Sequence, residues 1–164
     1  MPEITLLDRK HDRAGFDCGV PELNAFLKVT ARQHAQKGIS RTFVLTDNGS
    51  ATILGFFTLT LCEVQPVGLP ATASRHYPLH QLPAVRLARL AVSRKEQGKR
   101  FGELLLTEAL HRTQLIAEQA GLIGLFVDAK DDSARQFYLR YGFLSLTEQP
   151  LKLFLPIATI RTVT

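Results

Sequence analysis

The stretch from Val85 to Val127 constrains the fold more than any other part of the chain. Val85–Val92 is interpreted as a buried strand that carries two arginines, Gly98–Ala120 has apolar residues at helical spacing, and Leu122–Val127 is almost continuously apolar. A strand, a helix and a second strand in this order form a right-handed crossover between parallel neighbours. Strands covered on both faces have such unbroken apolar sequences. The sequence therefore predicts a sheet that contains a parallel pair.

The remaining elements add antiparallel strands and short helices. A helix is predicted to begin at Pro21 and Glu22, since proline suits a first turn, and to end at Gly38. The other predicted segments are strands at Arg41–Thr46, Ala51–Val64, Phe143–Leu146 and Leu151–Pro156, a helix at Ala134–Arg140, and a proline-rich loop at Pro66–Pro83. With one more strand at the start, this order predicts an α/β (α+β) fold. Its mixed, mostly antiparallel sheet is flanked by helices within a single domain, residues 1–164.

The composition agrees with one globular domain. The chain has 164 residues, of which 45% are hydrophobic, enough for a sizeable core. No apolar run reaches the ~18 residues of a membrane span, and the start of the chain lacks the pattern of a signal peptide. We expect a cytoplasmic protein with no membrane partner. Cys18 and Cys62 are interpreted as packing residues, and no Cys/His spacing indicates a metal site.

The net charge of +5 is unevenly distributed. No acidic residue lies between Glu22 and Asp47 or between Glu63 and Glu96, and these two stretches hold nine lysines and arginines. The rest of the chain therefore sums to −4, because +5 less nine positive charges leaves that value. Such asymmetry favours a polyanionic partner. A solvated basic face combined with phosphate contacts to a cofactor is the alternative.

A short polar loop joins the Val85 strand to the helix and predicts an anion site. The first N–H groups of a helix have no partner within the helix and carry partial positive charge. Glycines allow the backbone to approach an anion closely, and Lys99 and Arg100 add charge at the same point. These features predict a cradle for a diphosphate.

The glycine pattern excludes two common diphosphate loops. Neither G-x-x-x-x-G-K-[ST] nor G-x-G-x-x-G occurs here. The loop instead resembles the acetyl-CoA loop of GNAT acetyltransferases, Q/R-x-x-G-x-G/A, with Gln97 in the first position and Gly102 in the last. Arg100 stands where that pattern has its middle glycine, which is costly if the position needs positive φ. Gly98 and an additional phosphate contact would compensate.

A second motif follows at the spacing of the same family. Asp131, Ala134, Tyr138, Gly142 and Phe143 resemble the ending N-x-x-A-x-x-x-Y-x-x-x-G-F, with Asp131 replacing the Asn. The resemblance implies acetyl-CoA as cofactor, contacted by the end of the strand, the loop and the start of the later helix: Leu90, Ala91, Val92, Gln97, Gly98, Lys99, Arg100, Phe101, Gly102, Glu103, Asp131 and Ala134.

One branch of the family fits almost the whole chain. The segments that resemble it are Gly15–Gly19 followed by Leu23, Phe26 and Leu27, then Arg41–Val44, Gly55–Leu59, Arg89–Val92 and Leu153–Pro156. This branch comprises the TacT-like toxins of type II toxin–antitoxin modules. The resemblance implies acetylation of the α-amino group of aminoacyl-tRNA, arrest of translation, and inhibition by a ribbon-helix-helix antitoxin. It leaves open whether the protein is a homodimer.

The resemblance also assigns the chemistry. Tyr138 is the expected general acid, which protonates the departing thiolate; Tyr141 is its rival and lies outside the motif. No carboxylate occurs in Val85–Val92, so Glu63 is the nearest base in the sequence. An α-amino group has a pKa of about 7.7–8.0, lower still beside an ester, so water is an adequate proton acceptor.

The acceptor contacts are predicted from charge and strand alternation. Arg86 and Arg89 point to opposite faces of their strand, so that one faces the acceptor and the other a phosphate or the surface. Lys28, Arg32 and Arg75 are expected to contact the tRNA backbone. The resemblance implies that a backbone N–H near Leu90 or Val92 stabilises the developing oxyanion.

Two other functions remain open at this point. The first keeps the enzyme and changes the acceptor to a small-molecule amine, such as a polyamine or an antibiotic, or to a protein N-terminus. The basic stretches disfavour cationic acceptors. The second is a non-catalytic GNAT-like binding module, which Arg100 permits and Tyr138 argues against.

Overall fold

Seven strands and six helices follow one another along residues 1–163, the part of the chain that the computed structural model describes. In chain order they are β1 (Pro2–Leu6), α1 (Pro21–Ala25), α2 (Ala31–Gln36), β2 (Arg41–Asp47), β3 (Gly55–Val64), α3 (Ala71–Ser74), β4 (Leu82–Val92), α4 (Phe101–Ala120), β5 (Gly124–Asp128), α5 (Asp132–Leu139), β6 (Leu144–Ser145), β7 (Lys152–Pro156) and α6 (Ile157–Val163). A π-helical turn at Phe26–Thr30 joins α1 to α2, and short 3-10 turns lie at Pro66–Gly68 and Arg94–Glu96.

The strands form a mixed sheet in the order β1-β2-β3-β4-β5-β7-β6. The pairs β1–β2, β2–β3, β5–β7 and β6–β7 are antiparallel, while β4 and β5 are parallel with Val85 opposite Leu125. The parallel pair predicted from the strand–helix–strand order is therefore confirmed. The α/β class with a mostly antiparallel sheet is confirmed as well.

The chain divides into two compact units, each with its own apolar cluster. The first unit comprises Met1–Thr60 and Ala88–Ala109, and the second Leu61–Leu87 and the chain from Leu110 onward. In the first, Phe56 is fully buried and packs edge-on against Phe16, with ring centroids 5.5 Å apart. In the second, Phe126 and Phe154 stack at 4.6 Å. Aromatic side chains thus fill the centre of each unit.

Several boundaries differ from the prediction for local reasons. The strand predicted from Ala51 begins at Gly55, because Ala51 accepts a hydrogen bond from Asp12 N (2.7 Å) and Thr52 pairs with Asp12 outside the sheet. The single helix predicted from Pro21 is interrupted by the π-helical turn.

The proline-rich loop and the end of the chain hold structure that the sequence did not predict. α3 lies within the predicted loop, and β4 begins at Leu82, three residues earlier than expected. α6, which follows Pro156, was not predicted. Among the described residues, no helix combines the length and apolar character needed to cross a bilayer.

Candidate active site

The polar loop between β4 and α4 has the backbone conformation of an anion cradle. After the 3-10 turn at Arg94–Glu96, the chain is extended at Gln97 (φ −69°, ψ 149°) and takes positive φ at Gly98 (87°) and Arg100 (66°). α4 begins at Phe101. The helix start predicted at Gly98 is therefore wrong by three residues, because the left-handed backbone of Arg100 does not continue a right-handed helix.

Arg100 occupies the strained position that the missing glycine would have relieved. Its φ of 66° lies in the left-handed region, where a side chain with a Cβ is disfavoured. The sequence left open whether this position needs positive φ, and the structure shows that it does. Arg100 is exposed, so its guanidinium is free to move toward a ligand.

The first turn of α4 offers unpaired backbone donors. Leu104 N donates to Arg100 O (3.2 Å), which is the start of the helical hydrogen-bond pattern. The N–H groups of Phe101, Gly102 and Glu103 precede that bond and so lack a carbonyl within the helix. They lie at the positive end of a helix of 20 residues. An anion is stabilised at such a position.

Two charged side chains and one amide line the loop. Lys99 Nζ pairs with Glu96 Oε2 at 2.6 Å, so an incoming phosphate would compete with Glu96 for this lysine. The Gln97 amide donates to Val92 O (3.1 Å) and Cys18 O (3.4 Å). The Gln97 side chain therefore holds the loop.

The end of β4 is fixed against neighbouring backbone of the same unit. Ser93 N donates to Leu54 O at 2.8 Å. Ala91 is buried, whereas Leu90 and Val92 are partly exposed. These three residues remain predicted cofactor contacts.

Asp131 caps the N-terminus of α5. Its side chain accepts a hydrogen bond from Ala134 N at 2.9 Å. Aspartate performs this capping as asparagine does, so replacement of the motif's Asn preserves the helix start. The Ala134 N–H is consequently engaged within the protein. The cofactor contacts predicted for Asp131 and Ala134 stay predictions.

Tyr138 is buried in the second half of α5. Its side chain is 6% exposed and packs against Phe137 and Phe143, with ring centroids 5.2 and 5.4 Å away. Burial raises the pKa of Tyr138 above its ordinary value of about 10. The hydroxyl therefore stays neutral across the physiological pH range. Tyr141 is only partly buried and lies tilted against Phe137 at 5.2 Å.

A cavity in the second unit gathers charged residues that are far apart in the sequence. It has a volume of about 360 Å³. Its lining includes Arg86, predicted for the acceptor, and Glu63, the nearest base in the sequence. Arg86 is ion-paired with Asp128, which the sequence analysis did not single out. The strand register accounts for the pair, since Arg86 is opposite Phe126 and Asp128 lies two residues further along β5.

The five predicted acceptor cations have different surroundings. Lys28 and Arg75 are exposed, and Arg32 is half-buried in α2. Arg89 is also half-buried and lies over the Phe26 ring, whereas Arg86 meets Asp128, in keeping with strand alternation. The charges of Arg86 and Arg89 are thus already partly engaged. Within residues 1–163, no group of three His, Cys, Asp or Glu side chains is arranged to hold a metal ion.

Comparison with known proteins identifies the family. Residues 38–144 match the Acetyltransferase (GNAT) domain family. The chain is 33% identical over 162 residues to a probable toxin TacT of Sinorhizobium fredii, which covers 94% of this chain and 90% of that protein. It is 34% identical over 152 residues to a tRNA-acetylating toxin of Mycobacterium tuberculosis, which covers 93% and 90%.

Solved structures agree. A tyrosine-to-phenylalanine mutant of KacT superposes with a TM-score of 0.93 at 31% identity, over 99% of both chains. AtaT complexed with acetyl-methionyl-tRNAfMet superposes with a TM-score of 0.92 at 30% identity, also over 99% of both chains. AtaTR bound with acetyl-CoA superposes with a TM-score of 0.86 at 31% identity, over 99% of this chain and 97% of that chain. With the loop after β4, the capped α5 and these relatives along its whole length, the chain belongs to the GNAT acetyltransferase family, in the branch of TacT-like tRNA-acetylating toxins.

Proposed function

We propose that this protein is an acetyl-CoA-dependent N-acetyltransferase that acetylates the α-amino group of aminoacyl-tRNA and thereby blocks translation. The observation that carries the proposal is the loop at Gln97–Gly102, which has positive φ at Gly98 and Arg100 and leads into the start of α4, where the first N–H groups have no carbonyl partner within the helix. AtaTR, a structural relative, has been solved with acetyl-CoA bound. We propose that residues 1–164 act as one GNAT domain.

The loop residues divide into donors and supports. The backbone N–H groups of Gln97 to Glu103 would bind the diphosphate of CoA, and Arg100 and Lys99 would add charge. Lys99 would exchange Glu96 for a phosphate oxygen. Gly102 leaves the helix start open to the ligand, where a side chain would stand between the N–H groups and the phosphates.

Tyr138 is the proton donor in this proposal. Bound acetyl-CoA supplies the thioester whose acetyl group passes to the amine. As the amine nitrogen bonds to the carbonyl carbon and the carbon–sulfur bond breaks, the Tyr138 hydroxyl would give its proton to the leaving sulfur and would then regain a proton from solvent. The nitrogen loses its own proton to water or to Glu63. The Tyr138 hydroxyl is protonated at the pH where the amine is already neutral, so both groups are in the state that the transfer needs.

A polyanionic acceptor explains the uneven charge. Lys28 and Arg75 present exposed cations, as an RNA backbone requires. Since charged tRNA is a cytoplasmic substrate, we place the protein there. One solved relative has the AtaT toxin bound to the C-terminus of the antitoxin AtaR, and we propose that a ribbon-helix-helix antitoxin holds this chain inactive.

The direct test follows the label from acetyl-CoA. Protein, labelled acetyl-CoA and aminoacylated bulk tRNA are incubated, and the label is recovered as N-acetyl-amino acid after mild base hydrolysis. Label on small amines with none on charged tRNA would instead establish a small-molecule acetyltransferase. Bound acetyl-CoA with no product anywhere would establish a binding module.

A matched pair of variants tests the acceptor surface. Reversing both charges, Lys28→Glu with Arg32→Glu, should weaken tRNA binding about tenfold or more and reduce its dependence on salt. Acetyl-CoA affinity should not change. Arg161→Glu, an exposed charge reversal on α6, is the control and should leave tRNA binding within about twofold.

A further inference from the structure

The motif Gly15-Phe16-Asp17-Cys18-Gly19 forms a turn closed by its own side chains. Asp17 Oδ1 accepts hydrogen bonds from Gly19 N (2.9 Å) and from Asn24 Nδ2 (3.0 Å). The other end of the same amide, Asn24 Oδ1, accepts from Cys18 N at 2.9 Å. One carboxylate and one amide thus fix the path of the backbone from Asp17 to Gly19.

The turn is anchored in the core of the first unit. Phe16 is 2% and Cys18 is 7% exposed, and both belong to the apolar cluster that contains Phe56. The residues that alternate with them, Asp17 and Gly19, are exposed. The carbonyl groups of Asp17 and Cys18 are therefore held in place by buried neighbours on either side.

The carbonyl groups of Asp17 and Cys18 bind the two ends of the segment from Arg94 to Gln97, which leads into the cofactor loop. Asp17 O accepts from Arg94 N at 2.9 Å, and Cys18 O accepts from Gln97 Nε2 at 3.4 Å. Gln97 Nε2 also donates to Val92 O at 3.1 Å, so one amide bridges the end of β4 and the turn. The Arg94 guanidinium lies 3.7 Å from Asp17 Oδ2 as well.

We propose that Asp17 and Asn24 are positioning residues for acetyl-CoA binding, which act through Gln97 and Arg94 on the Gln97–Arg100 loop. The inference depends on the proposed function, since it takes that loop as the cofactor site. Residues 97 to 100 are exposed, and two of them have positive φ. A segment of this kind has few contacts of its own to keep its N–H groups aligned. The Gly15–Gly19 turn holds the backbone in place where the Gln97–Arg100 loop begins. The ligand therefore does not have to order the loop when it binds.

If these residues position the loop, variants should weaken acetyl-CoA binding without lowering kcat at saturating acetyl-CoA. Gln97→Glu keeps the size of the side chain and removes both N–H donors. The new carboxylate would lie against the carbonyl oxygens of Val92 and Cys18. We expect the Kd and KM for acetyl-CoA to rise about tenfold, the effect of one or two hydrogen bonds to an ordered loop. At saturating acetyl-CoA, kcat and the KM for aminoacyl-tRNA should stay within about twofold. Gln119→Glu, the same change at an exposed site on α4, is the control and should leave the acetyl-CoA Kd unchanged.

The turn is tested by graded variants. Asn24→Ala should raise the Kd for acetyl-CoA as Gln97→Glu does, while Asp17→Asn, which keeps an acceptor oxygen, should recover most of the affinity lost in Asp17→Ala. Thermal unfolding identifies any variant that fails to fold, and the exposed Gln97 variant then carries the test alone.

The outcomes separate this inference from the proposed function. Wild-type protein that shows no acetyl-CoA binding in calorimetry would refute the proposed function itself. Wild-type binding with unchanged affinity in Gln97→Glu, or a loss of kcat with unchanged KM, would overturn the positioning role and leave the function intact.

Discussion

The guanidinium carbon of Arg89 lies 3.7 Å from the centroid of the Phe26 ring. Phe26 is the first residue of the π-helical turn and is buried, so the cation rests on the face of a core aromatic side chain. A contact of this kind is worth about 0.5–2 kcal/mol, with larger values where water is excluded. It links β4 to the helical segment that carries Lys28.

A double-mutant cycle measures this contact. Because Arg89 has other partners, neither single variant isolates the pair. We expect Phe26→Leu and Arg89→Gln to show a coupling of about 0.5–2 kcal/mol in the free energy of unfolding, determined with urea. Strictly additive losses would mean that the geometry contributes no net stability.

Substitutions at Arg100 separate backbone strain from charge. Arg100→Gly should stabilise the protein relative to Arg100→Ala by about 1 kcal/mol, since both lack the guanidinium and only glycine relieves the positive φ. Arg100→Lys should retain most of the acetyl-CoA affinity, and Arg100→Gly should lose part of it with the charge. Urea unfolding and calorimetry give the two readouts. Equal stability of the glycine and alanine variants would show that the position is unstrained.

Tyr138 and Tyr141 are distinguished by removing one hydroxyl at a time. Tyr138→Phe keeps the buried ring and loses the proton donor, so turnover should fall about 10²-fold or more while acetyl-CoA affinity holds. Tyr141→Phe should have a much smaller effect. Single-turnover acetylation of charged tRNA measures both. The reverse ranking would move the general acid to Tyr141.

The local parts of this site were predictable from sequence, and the long-range parts were not. The loop pattern identified Arg100 as the residue that would be strained if its position needed positive φ, and the second motif placed Asp131 just before the predicted helix at Ala134–Arg140. The Arg86–Asp128 pair joins residues 42 positions apart, and Gln97 reaches Cys18 across 79. Such contacts depend on strand register and on a turn packed elsewhere in the chain, neither of which has a local signal.

His11 predicts loss of stability in mild acid. Its side chain is 1% exposed and Nδ1 accepts a hydrogen bond from Asp8 N at 3.0 Å, while the buried Nε2 has no hydrogen-bond partner among the described residues. Burial lowers the pKa of His11; Lys10 lowers it further, and the Asp8 carboxylate opposes the shift. The unfolded state therefore binds the proton more readily, so stability falls as the pH drops below about 6.5.

Urea unfolding between pH 8 and pH 5.5 checks this. In His11→Gln the free energy of unfolding should fall less steeply as the pH decreases, because the group whose protonation favours the unfolded state is gone. This holds whatever stability the substitution costs at pH 8. His76→Gln, an exposed control, should keep the slope of the wild-type protein. The same slope in His11→Gln as in the control would assign the acid sensitivity to another group.

The π-helical turn at Phe26–Thr30 contains one residue more than a straight helix would use. The N–H of Ala31 reaches back five residues to Phe26 O, while Phe26, Leu27 and Ala31 all remain buried. Removing one residue from an α-helix rotates everything after it by about 100°, which normally turns an apolar face outward. Here the loss of Val29, which is 62% exposed, would restore an ordinary helix with Leu27 and Ala31 still on one face. Homologous chains can therefore differ in length by one residue at this turn and keep the same core.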